Sequence, residues 1–181
     1  MPPRTPHRPG PHQAGGRFDN DAGLSAELAA VISGARRRVV RDADRQVDTA
    51  HLLHSLLEHD PEVRDVLGDG PRIARLLGYL VQRSIGYGLR WQGSVEDSGA
   101  VPGVTEAEGF SPLAAGALEY ACERAARRGD GPARGVDLLA AILVDSQARA
   151  VEVLARAGID AGEVYARIDS RPGSYPGESG C

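Results

Sequence analysis

The sequence predicts an all-α fold, and three observations support this prediction. Two segments, 24–60 and 110–146, carry apolar residues at the three- and four-residue spacing of amphipathic helices. No run of strictly alternating apolar and polar residues is long enough to indicate a β-strand. The two segments also resemble one another, which predicts a fold built by repetition.

The repeat is regular enough to align without a gap. A shift of 86 positions, from Leu24 to Phe110, superposes residues 24–60 on residues 110–146. One repeat of this size buries too little apolar surface to be stable alone, so two are expected to pack face to face as a pseudo-twofold domain. The leucine-rich positions of the second helix coincide in the two repeats: Leu52, Leu53, Leu56 and Leu57 with Leu138, Leu139, Ile142 and Leu143.

Local signals define the beginning of each repeat. Ser25 and Ser111 are each expected to cap the first helix, and Pro112 suits the first helical position. The preceding apolar residue, Leu24 or Phe110, can fold back on the first turn as a hydrophobic staple. A polar connection then leads to the second, leucine-rich helix, and each repeat ends in further helical stretches.

Composition changes along the chain predict its organisation. The two ends are rich in proline and glycine and lack periodicity, so both are expected to be disordered tails. A glycine-rich acidic stretch separates the repeats and is interpreted as a linker. The predicted divisions are a tail at 1–22, a double-repeat domain at 23–169 and a tail at 170–181. Within the domain, the divisions are repeat 1 at about 24–90, the linker at 91–109 and repeat 2 at about 110–168.

The composition argues against several classes of function. All 21 basic side chains are arginine, so a phosphate-binding P-loop lysine and Schiff-base chemistry through lysine are both ruled out. A net charge of −4 and few aromatic residues argue against nucleic-acid binding. No segment is apolar enough to span a membrane, and the N-terminus lacks the apolar core of a signal peptide. We therefore expect a cytoplasmic protein with no cofactor and no metal.

The stretch "TAHLLHSLLEHD" (49–60) raises an alternative function. His51, His54 and His59 could belong to a metal-dependent or hydrolytic enzyme, although zinc needs three or four converging ligands. We expect instead that His51 is hydrogen-bonded near the helix N-terminus and that His54 and His59 lie at the surface. The second repeat keeps the leucines but has other residues at the histidine positions: Asp137, Ala140 and Asp145. The fold therefore requires the leucines and not the histidines.

The paired motifs "LS…DTAHLLHSLL" and "FSP…GVDLLAAIL" resemble the double repeat of the Clp N-terminal domain, which opens the AAA+ unfoldases of the Clp protease. The resemblance covers residues 24 to about 168. It implies a bundle of eight short helices that docks adaptors and substrates, without catalysis. Since no ATPase module follows residue 181, the chain is expected to be a stand-alone N domain. Such a domain could modulate Clp-dependent proteolysis in trans.

The resemblance also implies partners and a binding surface. Expected partners are components of the Clp unfoldase–protease, adaptors or peptides. Clp N domains of actinobacteria are targets of cyclic-peptide antibiotics, so a free copy could act as a decoy. The residues expected at the binding surface are Leu24, Ser25, Phe110, Ser111 and Glu119. Phe110 could equally be only the hydrophobic staple of its helix.

One departure from the family pattern bears on ligand choice. In some family members, hydroxyl groups and two acidic residues recognise arginine phosphate. The hydroxyls remain here as Ser25 and Ser111, but Ala50 and Val136 stand at the acidic positions. A guanidinium needs carboxylate partners for bidentate hydrogen bonding, so we expect phosphoarginine binding to be weak or lost.

Overall fold

Eight α-helices form the part of the chain that the computed structural model describes, residues 23–84, 95–96 and 109–171. Within these ranges the only β-type pairings are two isolated bridges. The predicted all-α bundle of eight short helices is therefore confirmed. The helices are α1 Ala26–Asp42, α2 Thr49–His59, α3 Pro61–Leu67, α4 Gly70–Ser84, α5 Pro112–Arg128, α6 Gly135–Val144, α7 Arg149–Arg156 and α8 Ala161–Asp169.

The first helix of each repeat begins where the capping signals predict. The Ser25 hydroxyl accepts a hydrogen bond from the backbone N–H of Leu28 at 3.1 Å, and the Ser111 hydroxyl accepts one from Ala114 at 3.1 Å. The shift of 86 positions carries both ends of α1 onto the ends of α5. It also carries the start of α2 onto the start of α6. The internal repeat is thus visible in the helix boundaries.

Helices α2 and α6 form the centre of the bundle. Their leucine-rich sequences are buried on every face, over residues 49–57 in α2 and 135–143 in α6. Helix α1 packs chiefly on α2, and α5 packs chiefly on α6. This arrangement explains the leucine pattern, since a Leu-Leu-x-x-Leu-Leu helix presents two adjacent ridges that need covering.

The two repeats are joined by an exchange of short backbone pairings. Leu24, which precedes α1, pairs with Ala133, which precedes α6. Phe110, which precedes α5, pairs with Val47, which precedes α2. In the second pairing the N–H of Ser111 donates to the Val47 carbonyl at 2.8 Å. Each repeat therefore completes the entry to the central helix of the other, which makes the two halves interdependent. We call the region around these pairings the repeat junction.

Several expectations fall largely outside the described residues. These are the tail at 1–22, most of the linker at 91–109 and most of the tail at 170–181. The structure describes only residues 95, 96 and 109 of the linker and residues 170 and 171 of the second tail. The domain boundaries that they define stay predictions. None of the described helices is long and apolar enough to cross a membrane.

Candidate functional site

A carboxylate from the segment between the repeats is buried at the repeat junction. This residue, Glu96, is only 4% exposed. Its Oε2 accepts hydrogen bonds from the Thr49 backbone N–H at 2.8 Å and from the Ser111 hydroxyl at 2.9 Å. Its Oε1 accepts a hydrogen bond from the Arg149 backbone N–H at 2.7 Å and another from the Thr49 hydroxyl. Both carboxylate oxygens are thus held by two donors each.

The two backbone donors around Glu96 come from the N-terminal ends of two helices, and Ser111 caps a third, α5. Thr49 begins α2 and Arg149 begins α7, and the first N–H groups of a helix have no partner within the helix. The positive ends of the two helix dipoles also favour a negative group at this position. The Thr49 hydroxyl accepts a hydrogen bond from the Ala150 N–H at 3.1 Å, which fixes α7 against α2. The resulting cradle is suited to an oxygen anion.

A second buried acid, Asp48, lies beside the cradle. It is 2% exposed and caps α2 by accepting a hydrogen bond from the His51 backbone N–H at 2.9 Å. Its other oxygen accepts hydrogen bonds from Arg149, at 2.8 Å, and from Arg83. Burial by itself would raise the pKa of Asp48, but the His51 side chain, the charge of Arg83 and the hydrogen bond from the Arg149 side chain hold this pKa well below its usual range. Asp48 is therefore a fixed negative charge.

Glu96 responds to the same surroundings in the opposite direction. Burial raises the pKa of Glu96, and the neighbouring charge of Asp48 raises it further. The hydrogen bonds from Thr49 and Arg149 favour the ionised form and oppose this increase only in part. The Glu96 carboxyl therefore takes up a proton more readily than an exposed glutamate.

The histidines of residues 49–60 have separate structural roles. His51 is fully buried, and its Nδ1 accepts a hydrogen bond from the Asp48 backbone N–H at 3.2 Å, as the expected position near the helix start suggested. The prediction that His54 lies at the surface is wrong, because this residue is 5% exposed. Burial lowers the pKa of His54 to about 4, and the charge of Arg38 adds to this effect. His59 is half-buried, with Nδ1 3.0 Å from the Ser55 carbonyl oxygen.

One group of side chains in the described ranges has possible metal ligands within 4.8 Å of one another: Asp42, Asp44 and His51. His54 and His59 do not belong to it. The His51 Nε2 lies 3.0 Å from Asp44, and Asp42 accepts hydrogen bonds from Ser84 at 2.9 Å and Arg41 at 3.2 Å.

Four of the five sequence-predicted binding residues take part in the pairings of the repeat junction, and the fifth, Glu119, lies two turns along α5. Phe110 and Ser111 are each 1% exposed, Leu24 and Ser25 are half-buried, and Glu119 is exposed on α5. The guanidinium of Arg36, on the exposed face of α1, lies over the Phe110 ring at 5.3 Å from its centroid. Of the five, Ser111 donates a hydrogen bond to the Glu96 carboxylate.

The two positions at which some Clp N domains have acidic residues carry uncharged side chains here. Ala50 and Val136 are 0% and 4% exposed and pack in the core. The carboxylate near the first of them is Glu96, which comes from a different part of the chain. Weak or absent phosphoarginine binding stays a prediction.

Sequence reasoning missed three residues of the junction: Glu96, Asp48 and Arg149. Asp48 carried a signal, since an aspartate before "TAH" is a favourable helix cap. Glu96 lies in a stretch without periodicity, 47 residues from Thr49 and 53 residues from Arg149, so no local pattern connects them.

No protein-family model and no curated protein matches the chain. Solved structures do match. The N-terminal domain of Hsp104 from Candida albicans superposes with a TM-score of 0.62 at 13% identity, covering 84% of this chain and 93% of that one. The N-terminal domain of the caseinolytic protease associated chaperone ClpD from Arabidopsis thaliana superposes with a TM-score of 0.60 at 20% identity, covering 82% and 94%. The chain therefore has the Clp N-terminal domain fold that its repeats predicted.

Proposed function

We propose that this chain is a non-catalytic protein-binding module that modulates Clp-dependent proteolysis in trans. It does so by docking adaptors or substrates, or by acting as a decoy for cyclic peptides directed at Clp N domains. The likeness of its fold to the Hsp104 and ClpD N-terminal domains supports this role.

The observation that carries the proposal is the cradle at the repeat junction. Thr49, Ser111 and Arg149 present four hydrogen-bond donors to the two oxygens of Glu96. A carboxylate of a peptide ligand has the same acceptor geometry, and a phosphate also presents anionic oxygen acceptors. In this proposal Glu96 is a resident competitor, which an incoming anionic group displaces. Weak phosphoarginine binding is part of this proposal. Glu96 already occupies the cradle, and Ala50 supplies no carboxylate for the guanidinium.

The five predicted residues form the proposed docking surface, which shares Ser111 with this cradle. Leu24 and Ser25 are half-buried, and Glu119 is exposed, so all three can contact a partner directly. Phe110 is covered by the exposed Arg36 side chain. Displacement of this arginine by a partner would uncover an aromatic ring beside polar groups, a combination typical of binding hot spots.

The test is a proteolysis assay with a purified Clp unfoldase–protease and a fluorescent substrate, with and without its adaptor. Adding the 181-residue chain in excess is expected to change the rate of proteolysis. Glu119→Arg should abolish the effect, whereas Glu123→Arg, one turn further along the exposed face of α5, should retain it. Calorimetric titration with an N-domain-directed cyclic peptide separates the decoy role from adaptor docking.

Unchanged rates on both substrates, together with no heat of binding to the cyclic peptide, would contradict the proposal. Equal effects of the two reversed charges would contradict the assigned surface and leave the function to be mapped elsewhere on the module.

A further inference from the structure

An open groove of about 720 Å³ lies where α5, α6 and the end of α8 meet, on residues that the repeat junction does not use. Its lining is strongly basic. Three carboxylates, from Glu62, Asp137 and Asp169, face a larger number of guanidinium groups. The arginines that line the groove are Arg124, Arg127, Arg128, Arg134 and Arg171. The groove therefore has an excess of positive charge in a chain whose net charge is −4.

The innermost carboxylate is fully engaged by the protein itself. Asp137 is 1% exposed, and both of its oxygens accept hydrogen bonds from Arg128, the longer at 3.1 Å. It also accepts a hydrogen bond from the Arg134 backbone N–H at 2.9 Å, which secures the start of α6. Arg124 lies 3.5 Å from Asp137 and donates to Asp169 at 2.9 Å. These inner contacts build the groove and hold its shape.

The outer arginines are paired more loosely. Arg134 and Arg171 lie 3.7 Å and 3.8 Å from oxygens of the same residue, Glu62, which is beyond hydrogen-bond length. The Nε of Arg134 is buried without a hydrogen-bond partner among the described residues. Arg127, which is 67% exposed, pairs with Glu123 along its own helix. A ligand carboxylate between Arg134 and Arg171 would supply acceptors within hydrogen-bond length, which Glu62 does not.

The groove also has an apolar part. Val136 and Ile168 are 4% and 7% exposed, and Tyr120 is half-buried with Arg127 5.7 Å above its ring centroid. Apolar surface beside guanidinium groups matches a peptide that carries acidic and aliphatic side chains. A nucleic acid offers a continuous phosphate backbone and no aliphatic side chains for this apolar part, so an acidic peptide is the better match.

We propose that this groove binds an acidic peptide segment of a partner protein. One carboxylate of the segment pairs with Arg134 and Arg171, and a neighbouring aliphatic side chain packs on Tyr120 and Ile168. The groove shares no residue with the junction surface, so this binding is a separate property of the chain.

The test uses fluorescence anisotropy of a labelled peptide in which glutamate and leucine alternate, measured at low ionic strength with the 181-residue chain. A peptide with glutamine in place of glutamate is the matched probe. The chain is expected to bind the acidic peptide and not the amide peptide. Arg134→Gln with Arg171→Gln should weaken binding by about tenfold or more. The control pair, Arg45→Gln with Arg72→Gln, changes two exposed arginines outside the groove and should leave binding unchanged.

Equal affinity of the groove variant and the parent, with both folded by circular dichroism, overturns the proposal. So does equal binding of the amide peptide. A single-stranded oligonucleotide that binds the groove more tightly than the peptide would reassign it to nucleic acid. Acidic-peptide binding that requires removal of residues 172–181 would assign the groove to the chain's own end. A dimer that the groove variant dissociates in size-exclusion chromatography would assign it to self-association.

Discussion

Ser111 donates its hydroxyl hydrogen to Glu96 at 2.9 Å, while the same oxygen accepts the N–H of Ala114 at 3.1 Å. One buried hydroxyl thus begins α5 and holds the carboxylate that joins α2 to α7. Ser25, its counterpart in the first repeat, caps α1 in the same way from a half-buried position. Both serines cap the first helix of their repeat. Ser111 differs from Ser25 in that it also donates a hydrogen bond to Glu96.

This difference predicts unequal effects of the two serine-to-alanine changes. Ser25→Ala should lower the free energy of unfolding by about 1 kcal/mol through loss of the cap. Ser111→Ala should lower it by about 2 kcal/mol, because a buried hydrogen bond to a carboxylate is lost as well. Urea unfolding followed by circular dichroism measures both values. Equal losses would mean that the contact with Glu96 adds no stability.

The raised pKa of Glu96 predicts a pH-dependent contribution to stability. Above its ordinary pKa of 4.5 and below its raised value, the folded chain binds more protons at this group than the unfolded chain does. The stability due to Glu96 should therefore fall as the pH rises through that interval. The free energy of unfolding of the parent relative to Glu96→Ala should decrease from acidic to neutral pH. An increase with pH would contradict the raised pKa of Glu96.

His54 should destabilise the fold on acidification. Burial lowers the pKa of His54 from 6.5 to about 4, so between these values the unfolded chain binds a proton that the folded chain does not. The contribution of neutral His54 to the free energy of unfolding is complete above pH 6.5 and is lost as the pH falls towards 4. Relative to His54→Gln, the parent should lose about 1–2 kcal/mol over this interval, after allowance for partial solvent screening. A constant difference between the two proteins would show that His54 is protonated in the folded state.

Gly34 should tolerate no side chain, because α1 approaches α2 closely at this position. A Cβ at Gly34 would lie 2.4 Å from the Ser55 hydroxyl oxygen, which donates to the Val31 carbonyl at 2.6 Å. Gly34→Ala should therefore reduce the free energy of unfolding by about 2 kcal/mol. Gly78→Ala is the matched helical control, since nothing lies within 4 Å of its added Cβ. The control should be neutral or raise the melting temperature, because alanine favours helix over glycine.

Phe110 has to be changed with care in any binding experiment. This residue is 1% exposed, so Phe110→Ala should cost about 3–4 kcal/mol of stability in addition to any effect on binding. Glu119→Ala, at an exposed position, should change stability by about 0.5 kcal/mol or less. Thermal melting of the two variants checks these values. A small loss for Phe110→Ala would indicate that the ring is more accessible than its packing under Arg36 suggests.

The helix starts could be predicted because capping is local. The oxygens of Ser25 and Ser111 bond to N–H groups three residues later, so the sequence around each serine contains both partners. The leucine-rich pattern of α2 is equally predictable from the sequence. Its recurrence in α6 predicts a pseudo-twofold bundle. The outcome for His54 shows where this reasoning ends. Helical periodicity assigns a residue to a face of its own helix, and it does not show whether a neighbouring helix covers that face.

The sequence by itself determined the fold class, the repeat and the places where the capped helices begin, because these depend on residues a few positions apart. The tertiary structure alone decided which polar groups meet. Glu96 reaches Thr49 and Arg149 only because two helix N-termini converge on it from opposite repeats. The pKa changes of Glu96 and Asp48 depend in the same way on burial and on charges distant in the chain. Long-range electrostatics and burial act through space, so no spacing in the sequence encodes them directly.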